Sequence, residues 1–283
     1  MRVLVTGAGG RVGSELGSRL AHHEVHALTR AELDVADRDA VSSVVGELQP
    51  DAVISCAAWT DVDGCEFDPE RAMTVNALGP RHLAVAAARA GAHLVHLSTD
   101  YVFPGDKDGP YHEWDDTGPL SVYGRSKLGG EIEIARHATS WTVVRTSWVF
   151  GHVGRDFVDA ILERAESGES LAVVTDQWGC PTYAPDLAAT VARLTVGRHQ
   201  GIFHVTNAEP CTWWDLACHA VGLAGMDPGI VGQTTTADFP RPARRPANSV
   251  LANTALAGSG LPLLRPWREA LVDKVAIRAA DRR

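Results

Sequence analysis

The sequence predicts an α/β protein built on a doubly wound parallel sheet, with a smaller C-terminal lobe. Three observations carry this. A short β-rich run, Arg2 to Thr6, ends directly in Gly7-Ala8-Gly9-Gly10-Arg11-Val12-Gly13 and an amphipathic stretch to Leu20, the pattern of strand, glycine loop and helix. Further apolar runs at 24–28, 52–56, 93–98 and 141–146 are separated by alanine-rich helical segments such as 72–90. Beyond about residue 150 the alternation persists but loosens. Strands alternating with helices imply right-handed crossovers and a sheet covered on both faces.

Each element has a local reason. Gly91 suits the C-terminal cap of helix 72–90. In the second half the pattern predicts a helix at 156–166, a strand at 171–175, a helix at 184–196 and a strand at 201–206. Three prolines in 239–246 (FPRPARRP) exclude a central strand or a continuous helix, leaving an ordered loop. The tail, 272–283, is expected to fray. There is no internal repeat or flexible linker, so residues 1–150, joined by about 183–207, are expected to form a dinucleotide-binding domain. The remainder of 151–283 would then form a substrate-binding lobe packed against it.

Composition excludes several classes. The 283 residues are 45% apolar and 22% charged, with 26 Lys and Arg against 35 Asp and Glu, a formal net charge of −9. Without a basic run, no nucleic-acid partner is expected. No apolar stretch approaches the roughly 20 residues of a membrane crossing, and the start shows no leader pattern, so a soluble, cytoplasmic protein with no membrane partner is expected. Cys56, Cys65, Cys180, Cys211 and Cys218 are odd in number and form no CxxC pair, which fits reduced thiols.

Gly7-x-x-Gly10-x-x-Gly13 lies where a phosphate site needs it, because glycines let a pyrophosphate approach the free amides of a helix N-terminus. The position, directly after an N-terminal strand, is what favours a dinucleotide. The second strand ends in Arg30 rather than in an acidic residue, and Arg11 stands in the glycine loop. Both favour a 2′-phosphate, so NADPH is expected over NADH, which stays possible. Tyr123 and Lys127 stand four residues apart, on one face of a helix if the segment is helical. A phenol whose pKa of about 10 is lowered by a neighbouring ammonium can protonate the alkoxide formed when hydride reduces a ketone. A hydroxyl at the C-terminal end of the fourth strand, in Ser98-Thr99-Asp100-Tyr101, would complete such a site.

Together these residues resemble the extended short-chain dehydrogenase/reductase superfamily, which implies a Rossmann-like sheet. The likeness narrows through Ala57-Ala58-Trp59-Thr60-Asp61-Val62-Asp63, Ser98-Thr99-Asp100-Tyr101-Val102-Phe103-Pro104-Gly105 and Arg145-Thr146-Ser147-Trp148-Val149-Phe150-Gly151. With Asp176-Gln177-Trp178-Gly179-Cys180-Pro181-Thr182 and Arg244-Arg245-Pro246-Ala247-Asn248-Ser249, almost the whole chain resembles the dTDP-4-dehydrorhamnose reductases. The resemblance implies a catalytic set at Thr99, Tyr123 and Lys127, and a sugar pocket bordered by Asp100 and Trp148, with Arg245 in a matching segment. It places cofactor contacts at Arg11-Val12, Asp34-Val35, Ala57-Ala58-Trp59, Tyr123 and Lys127. Arg11 departs from a frequent glutamine, and Ser55-Cys56 from an asparagine-alanine pair.

The implied reaction is NADPH-dependent reduction of the C4 ketone of a dTDP-linked 4-keto-6-deoxyhexose, with dTDP-4-dehydrorhamnose as the first choice. The alternatives are another dTDP-4-keto sugar, as in streptose or antibiotic-sugar pathways, and a non-catalytic NADP-binding regulatory subunit resembling the methionine adenosyltransferase beta subunit. Oligomeric state is left open, a homodimer among the options. No metal site is expected, since the 12 histidines form no HxxxH or HExxH pattern and His93 and His96 are out of phase on their strand. Relatives that bind magnesium between subunits draw notice to Asp61, Asp63 and Glu66, but a solvated helix start is the expectation. Trp213-Trp214, after a Thr212 cap, reads as core packing. Arg241, Arg244 and Arg245 read equally as an anion clamp or an exposed basic loop.

Overall fold

Parallel strands need helices on both faces, so their side chains are apolar in both phases of the pleat. In the computed structural model, which describes residues 1–281, β1 (Arg2–Thr6) shows this: Val3 and Val5 enter one core, Leu4 the other. The chain continues through α1 (Gly13–Arg19), β2 (Glu24–Leu28), α2 (Arg38–Leu48) and β3 (Ala52–Ser55). Next come α3 (Val62–Phe67), α4 (Pro69–Met73), a π-helical turn (Thr74–Leu78), α5 (Gly79–Ala90), β4 (His93–Thr99), α6 (Val122–His137) and β5 (Trp141–Thr146).

The second half contains β6 (Val149–Phe150), α7 (Phe157–Glu166), β7 (Leu171–Val174), β8 (Trp178–Gly179), β9 (Thr182–Tyr183), α8 (Ala184–Val196) and β10 (Gly201–His204). It ends with β11 (Cys211–Thr212), α9 (Trp213–Leu223), β12 (Val231–Thr234), α10 (Thr254–Gly258) and α11 (Trp267–Asp281). Six parallel strands form the central sheet in the order β10-β5-β4-β3-β1-β2. α1 and α8 close one face, while α2, α5 and α6 close the other. The strand order reverses between β1 and β3, the switch point at which open α/β sheets form a ligand crevice. A third core belongs to α7, α9, α11 and the short sheets β7–β12, β6–β9 and β8–β11.

Two expectations are corrected. The single helix at 72–90 is instead α4, a π turn and α5. Pro80 has no N–H to return to the Asn76 carbonyl, so the ladder resets there. The π turn presents the Asn76 side chain to Trp59 and Ser126: Oδ1 accepts from Trp59 N at 2.8 Å, and Nδ2 donates to Trp59 O and Ser126 Oγ, each at 3.0 Å. Second, the tail does not fray through 281. α11 buries Trp267 completely, and Lys274 Nζ donates to Gly151 O at 2.5 Å and Asp159 Oδ2 at 2.8 Å. Residues 282–283 lie outside the described residues. The loop at 239–246 is irregular, as its prolines require.

Asn76→Ala leaves both backbone groups of Trp59 without this partner, and burial makes such a loss expensive. The variant is expected to lose about 1–3 kcal/mol of stability in urea unfolding. A loss within error of wild type would show that the π turn serves no such purpose.

Candidate active site

The glycine loop is shaped by a close approach between the ends of β1 and β3. Gly7 adopts φ +71°, and a Cβ there would lie 2.6 Å from Ala57 N; one on Gly13, at the start of α1, would lie 2.3 Å from Gly7 O. Only bare backbone fits. Two connected cavities follow this seam. The first, about 350 Å³, is bordered by Gly10, Arg11, Val12, Gly13, Tyr123 and Lys127 among others. The second, about 230 Å³, is bordered by Gly7, Arg30, Asp34, Val35, Ala57 and Trp59 among others, and the two share Gly9, Gly10, Cys56 and Ala58. The structure therefore brings all the residues named above for the cofactor to one continuous groove.

Two cations named in the sequence stand at this groove. Arg11 Nη2 donates to Arg155 O at 2.5 Å, and its buried Nε has no partner. Arg30 is largely exposed and lies 3.5 Å from Asp34 Oδ2. Arg71, which sequence reasoning missed, stacks its guanidinium 4.3 Å above the Trp59 ring at the same end.

α6 begins at Ser121, whose hydroxyl accepts from Gly124 N at 3.1 Å. One turn then separates Tyr123 from Lys127. Lys127 is 2% exposed, and its ammonium donates to Leu97 O at 2.6 Å and lies 3.2 Å from His96 Nε2. Burial lowers its pKa to about 8, with Glu131 and Cys56 opposing. Burial also pushes His96 well below its usual range, so that ring is neutral. Tyr123 packs edge-on against Tyr101, with ring centroids 5.9 Å apart. The expected lowering of its pKa by Lys127 is not seen: burial raises the phenol, opposed by the Thr99 hydroxyl, while the ammonium is engaged by Leu97 and His96.

Beneath Lys127 lies a buried charge layer that the sequence reading missed. Arg145 donates through Nε and Nη2 to Glu131 at 3.0 and 2.7 Å, and Ser98 Oγ donates to the same carboxylate. Glu131 follows Lys127 by one turn, so the spacing Tyr123, Lys127, Glu131 was a signal available in the sequence.

Thr99 and Asp100 sit at the end of β4, buried beside Tyr123, and border neither groove cavity. Thr99 Oγ1 donates to Asp100 Oδ1 at 2.9 Å. Burial raises Asp100 to about 7, opposed by the hydroxyls of Ser249 and Thr99.

Trp148 follows β5 in the left-handed backbone region, at φ +47°. Such a conformation costs a bulky residue about 1–3 kcal/mol. Its ring stacks on Trp213 with centroids 3.6 Å apart, so Trp213, expected as plain core, is also a wall residue. Both border a cavity of about 510 Å³ that meets the cofactor groove at Arg11, Thr60 and Val149. A further cavity of about 550 Å³ is bordered by Tyr101, Trp213, Phe239, Arg164 and Arg244 among others. Arg241 and Arg245 border both of these cavities.

Those two arginines correct another expectation. Asp63 is not a solvated helix start: Arg245 Nη1 lies 2.5 Å from its Oδ1, Arg241 bonds its Oδ2, and Ala243 N donates at 3.1 Å. Burial opposes ionisation, but these bonds outweigh it and hold the carboxyl well below the usual range. Glu66 accepts from Val122 N at 2.7 Å, while Asp61 caps α3 as expected. Arg241 and Arg245 are therefore neither a free clamp nor a free loop. Among the described residues, no group of three or more His, Cys, Asp or Glu is placed to hold a metal ion.

Comparison with known proteins adds identity to this geometry. The sequence pattern of the family described as RmlD substrate binding domain matches residues 1–279. The chain belongs to this family. A probable dTDP-4,6-dihydroxy-2-methyloxan-3-one 4-ketoreductase of Streptomyces antibioticus is 47% identical over 96% of this chain and 93% of its own length. A dTDP-4-dehydrorhamnose reductase of Mycolicibacterium smegmatis is 44% identical over 97% of this chain and 85% of its own. The crystal structure of dTDP-4-dehydrorhamnose reductase from Bacillus anthracis in complex with NADP superposes with a TM-score of 0.94 at 34% identity, covering 98% of this chain and 99% of that one. The family match and this superposition each take in almost the whole chain.

Lys127 generates a prediction independent of any ligand. Its pKa of about 8 in the folded chain lies below the ordinary 10.5, so between those values the unfolded chain holds the extra proton and stability rises with pH. Glu131→Gln removes the carboxylate that supports the ammonium. Titration of the lysine side-chain carbons by NMR is expected to show a midpoint near 8 in the wild type and a lower one in the variant. An unchanged midpoint would remove Glu131 from this role.

Proposed function

We propose that the chain is an NADPH-dependent reductase of the C4 ketone of a dTDP-4-dehydro-6-deoxyhexose, with dTDP-4-dehydrorhamnose as substrate and dTDP-L-rhamnose as product. One observation carries the reading: four adjoining cavities, each sharing lining residues with the next, run from the glycine groove past Tyr123 and Lys127 to the Trp148–Trp213 wall and on to the arginine-bordered cavity. Its order matches a cofactor, a sugar and a nucleotide diphosphate laid end to end. The names of the relatives support the same substrate class. The NADP complex of the Bacillus anthracis enzyme supports the cofactor.

The residues fit that cofactor. A Cβ at Gly7 or Gly13 would fill the cradle, and the unpartnered Nε of Arg11 lies beside it. Gly7, Gly10, Gly13, Arg11 and Val12 would hold the pyrophosphate, Ala57, Ala58 and Trp59 the neighbouring ribose, and Arg30, Asp34 and Val35 the adenosine end. When bound, the reduced nicotinamide supplies hydride to the sugar carbonyl carbon. Tyr123 donates its phenolic proton to the carbonyl oxygen; its raised pKa keeps that proton in place until the oxygen becomes strongly basic. Thr99 orients the carbonyl. Lys127 holds the nicotinamide ribose and, once it turns from Leu97 O, stabilises the phenolate that proton transfer leaves behind. Trp148 would border the sugar, with Asp100 buried behind the Thr99 hydroxyl, and Arg245, with Arg241, would face the diphosphate while paired with Asp63.

Residues 1–150, joined by about 183–207, would carry the cofactor, and the rest would carry the substrate. The five free thiols fit work in a reducing cytoplasm.

Tyr123→Phe is expected to bind NADPH as the wild type does in a fluorescence titration, and to lose turnover by about 10²–10⁴-fold. The test incubates both proteins with NADPH and a panel of dTDP-4-keto sugars, following absorbance and identifying products. Turnover of a different panel member would reassign the sugar. Cofactor binding without turnover of any member would point to the regulatory reading.

The cofactor preference has its own test. Arg30→Ala is expected to weaken NADPH binding while leaving NADH binding unchanged, since the 2′-phosphate is the group it would meet. A wild-type preference for NADH, unaltered by the substitution, would overturn it.

A further inference from the structure

Trp148 stands where β5 hands over to β6, in a backbone conformation that bulky residues avoid. Something outside its own turn must hold it there. Two hydrogen bonds fix the backbone: Ser147 Oγ donates to Cys180 O at 2.6 Å, and Thr182 N donates to Trp148 O at 3.3 Å. Two residues fix the ring. On one side the Trp213 indole lies 3.6 Å away, centroid to centroid, with planes 10° apart. Gly179 also lies against this ring, where a Cβ would lie 2.4 Å from Trp148 Cε2 and 2.8 Å from Nε1. The slot exists because position 179 has no side chain.

Gly179 and Trp213 are themselves tied together. β8 and β11 pair antiparallel, setting Cys211 opposite Gly179 and Thr212 opposite Trp178, so Trp213 leaves this ladder as the first residue of α9. Thr212 and Asp215 form a reciprocal cap there, with Asp215 N donating to Thr212 Oγ1 at 3.1 Å and Thr212 N to Asp215 Oδ2 at 2.9 Å. Phe157 supports Trp213 at 4.5 Å. A rigid corner therefore presses one indole into one orientation on the wall of the cavity between the cofactor groove and the arginines.

We propose that Trp213 and Gly179 are positioning residues for sugar recognition, holding the strained Trp148 indole as the sugar-facing wall of the cleft. The proposal rests on the substrate reading above. Neither residue need touch the reacting atoms; both act through Trp148.

The experiment compares wild type, Trp213→Ala, Trp213→Phe and Gly179→Ala as full-length proteins. Calorimetry measures binding of dTDP and of dTDP-rhamnose, so that the ratio of the two affinities isolates what the sugar adds. Circular dichroism follows the exciton couplet that two stacked indoles produce. In Trp213→Ala and Gly179→Ala the sugar's increment is expected to fall about tenfold, with NADPH affinity unchanged; affinity for dTDP is expected unchanged in Gly179→Ala, the variant that keeps the Trp213 ring bordering the nucleotide cavity. The couplet is lost in Trp213→Ala and altered in Gly179→Ala. Trp213→Phe, which keeps a stacking ring, is expected to recover most of the increment without recovering the couplet.

A couplet that changes while the sugar increment stays constant would overturn the proposal, because Trp148's orientation would then not matter. So would a parallel loss of dTDP affinity, NADPH affinity and melting temperature, the signature of damaged packing alone. A wild type in which the sugar adds nothing to dTDP binding overturns it too. Failure of the substrate reading is separate: it shows as no reduction of any 4-keto sugar by the wild type.

Discussion

Lys127 carries its charge at 2% exposure, and a buried ammonium persists only where hydrogen bonds and opposite charge replace its lost water. Its own helix supplies Glu131 one turn on, and β4 supplies the Leu97 carbonyl. β5 then supplies Arg145, which keeps Glu131 from becoming an unpaired buried acid. Three elements are locked in register by one charge. α6 cannot slide along the sheet without separating Lys127 from Leu97 and Glu131 from Arg145 at once. Tyr123, one turn before Lys127, thereby inherits its position at the edge of the groove. The same burial keeps His96 neutral, so the ammonium has no competing cation in contact with it.

A second set of charges joins distant parts of the chain. Asp63 meets Arg241 and Arg245 across 178 and 182 residues of sequence. In this way α3, which follows β3 at the sheet's switch point, is tied to the proline-rich loop of the second half. The chain's formal charge of −9 hides this arrangement. What an anionic ligand meets is the local field, and the arginines here stand around two adjoining cavities.

The sheet was legible because its signal is local. Val3, Leu4 and Val5 are apolar in both phases of the pleat, and only a doubly covered parallel strand needs that. The groove was legible because glycine spacing and strand position are read from a dozen adjacent residues. The Asn76 turn was not, since alanine-rich sequence fits an α-helix, and only the missing N–H of Pro80 hinted at a reset. Asp63 looked like a solvated helix start because its partners lie 178 residues and more away, beyond the reach of any periodicity. Trp213 looked like core since an aromatic after a helix cap usually packs inward. Half of that holds, for it packs against the third core and also stacks on Trp148.

Backbone conformation separates structural exceptions from functional ones. Among the described residues, four other than glycine have positive φ: Gln49, Trp148, Arg198 and Glu209. Gln49 caps α2, Arg198 follows the end of α8 and Glu209 lies in a loop, and all three are exposed. At such positions a left-handed residue closes a helix or turns the chain, and polar side chains reach water without hindrance. Trp148 has no such excuse. It joins two strands, is half-buried, and has one of the bulkiest side chains available. Local preference would place a small residue there and leave the ring elsewhere. The chain instead keeps the tryptophan and surrounds it with a glycine slot, a second indole and a capped helix start. A local rule broken and then so thoroughly supported is the structural ground on which the proposed role of Trp148 rests.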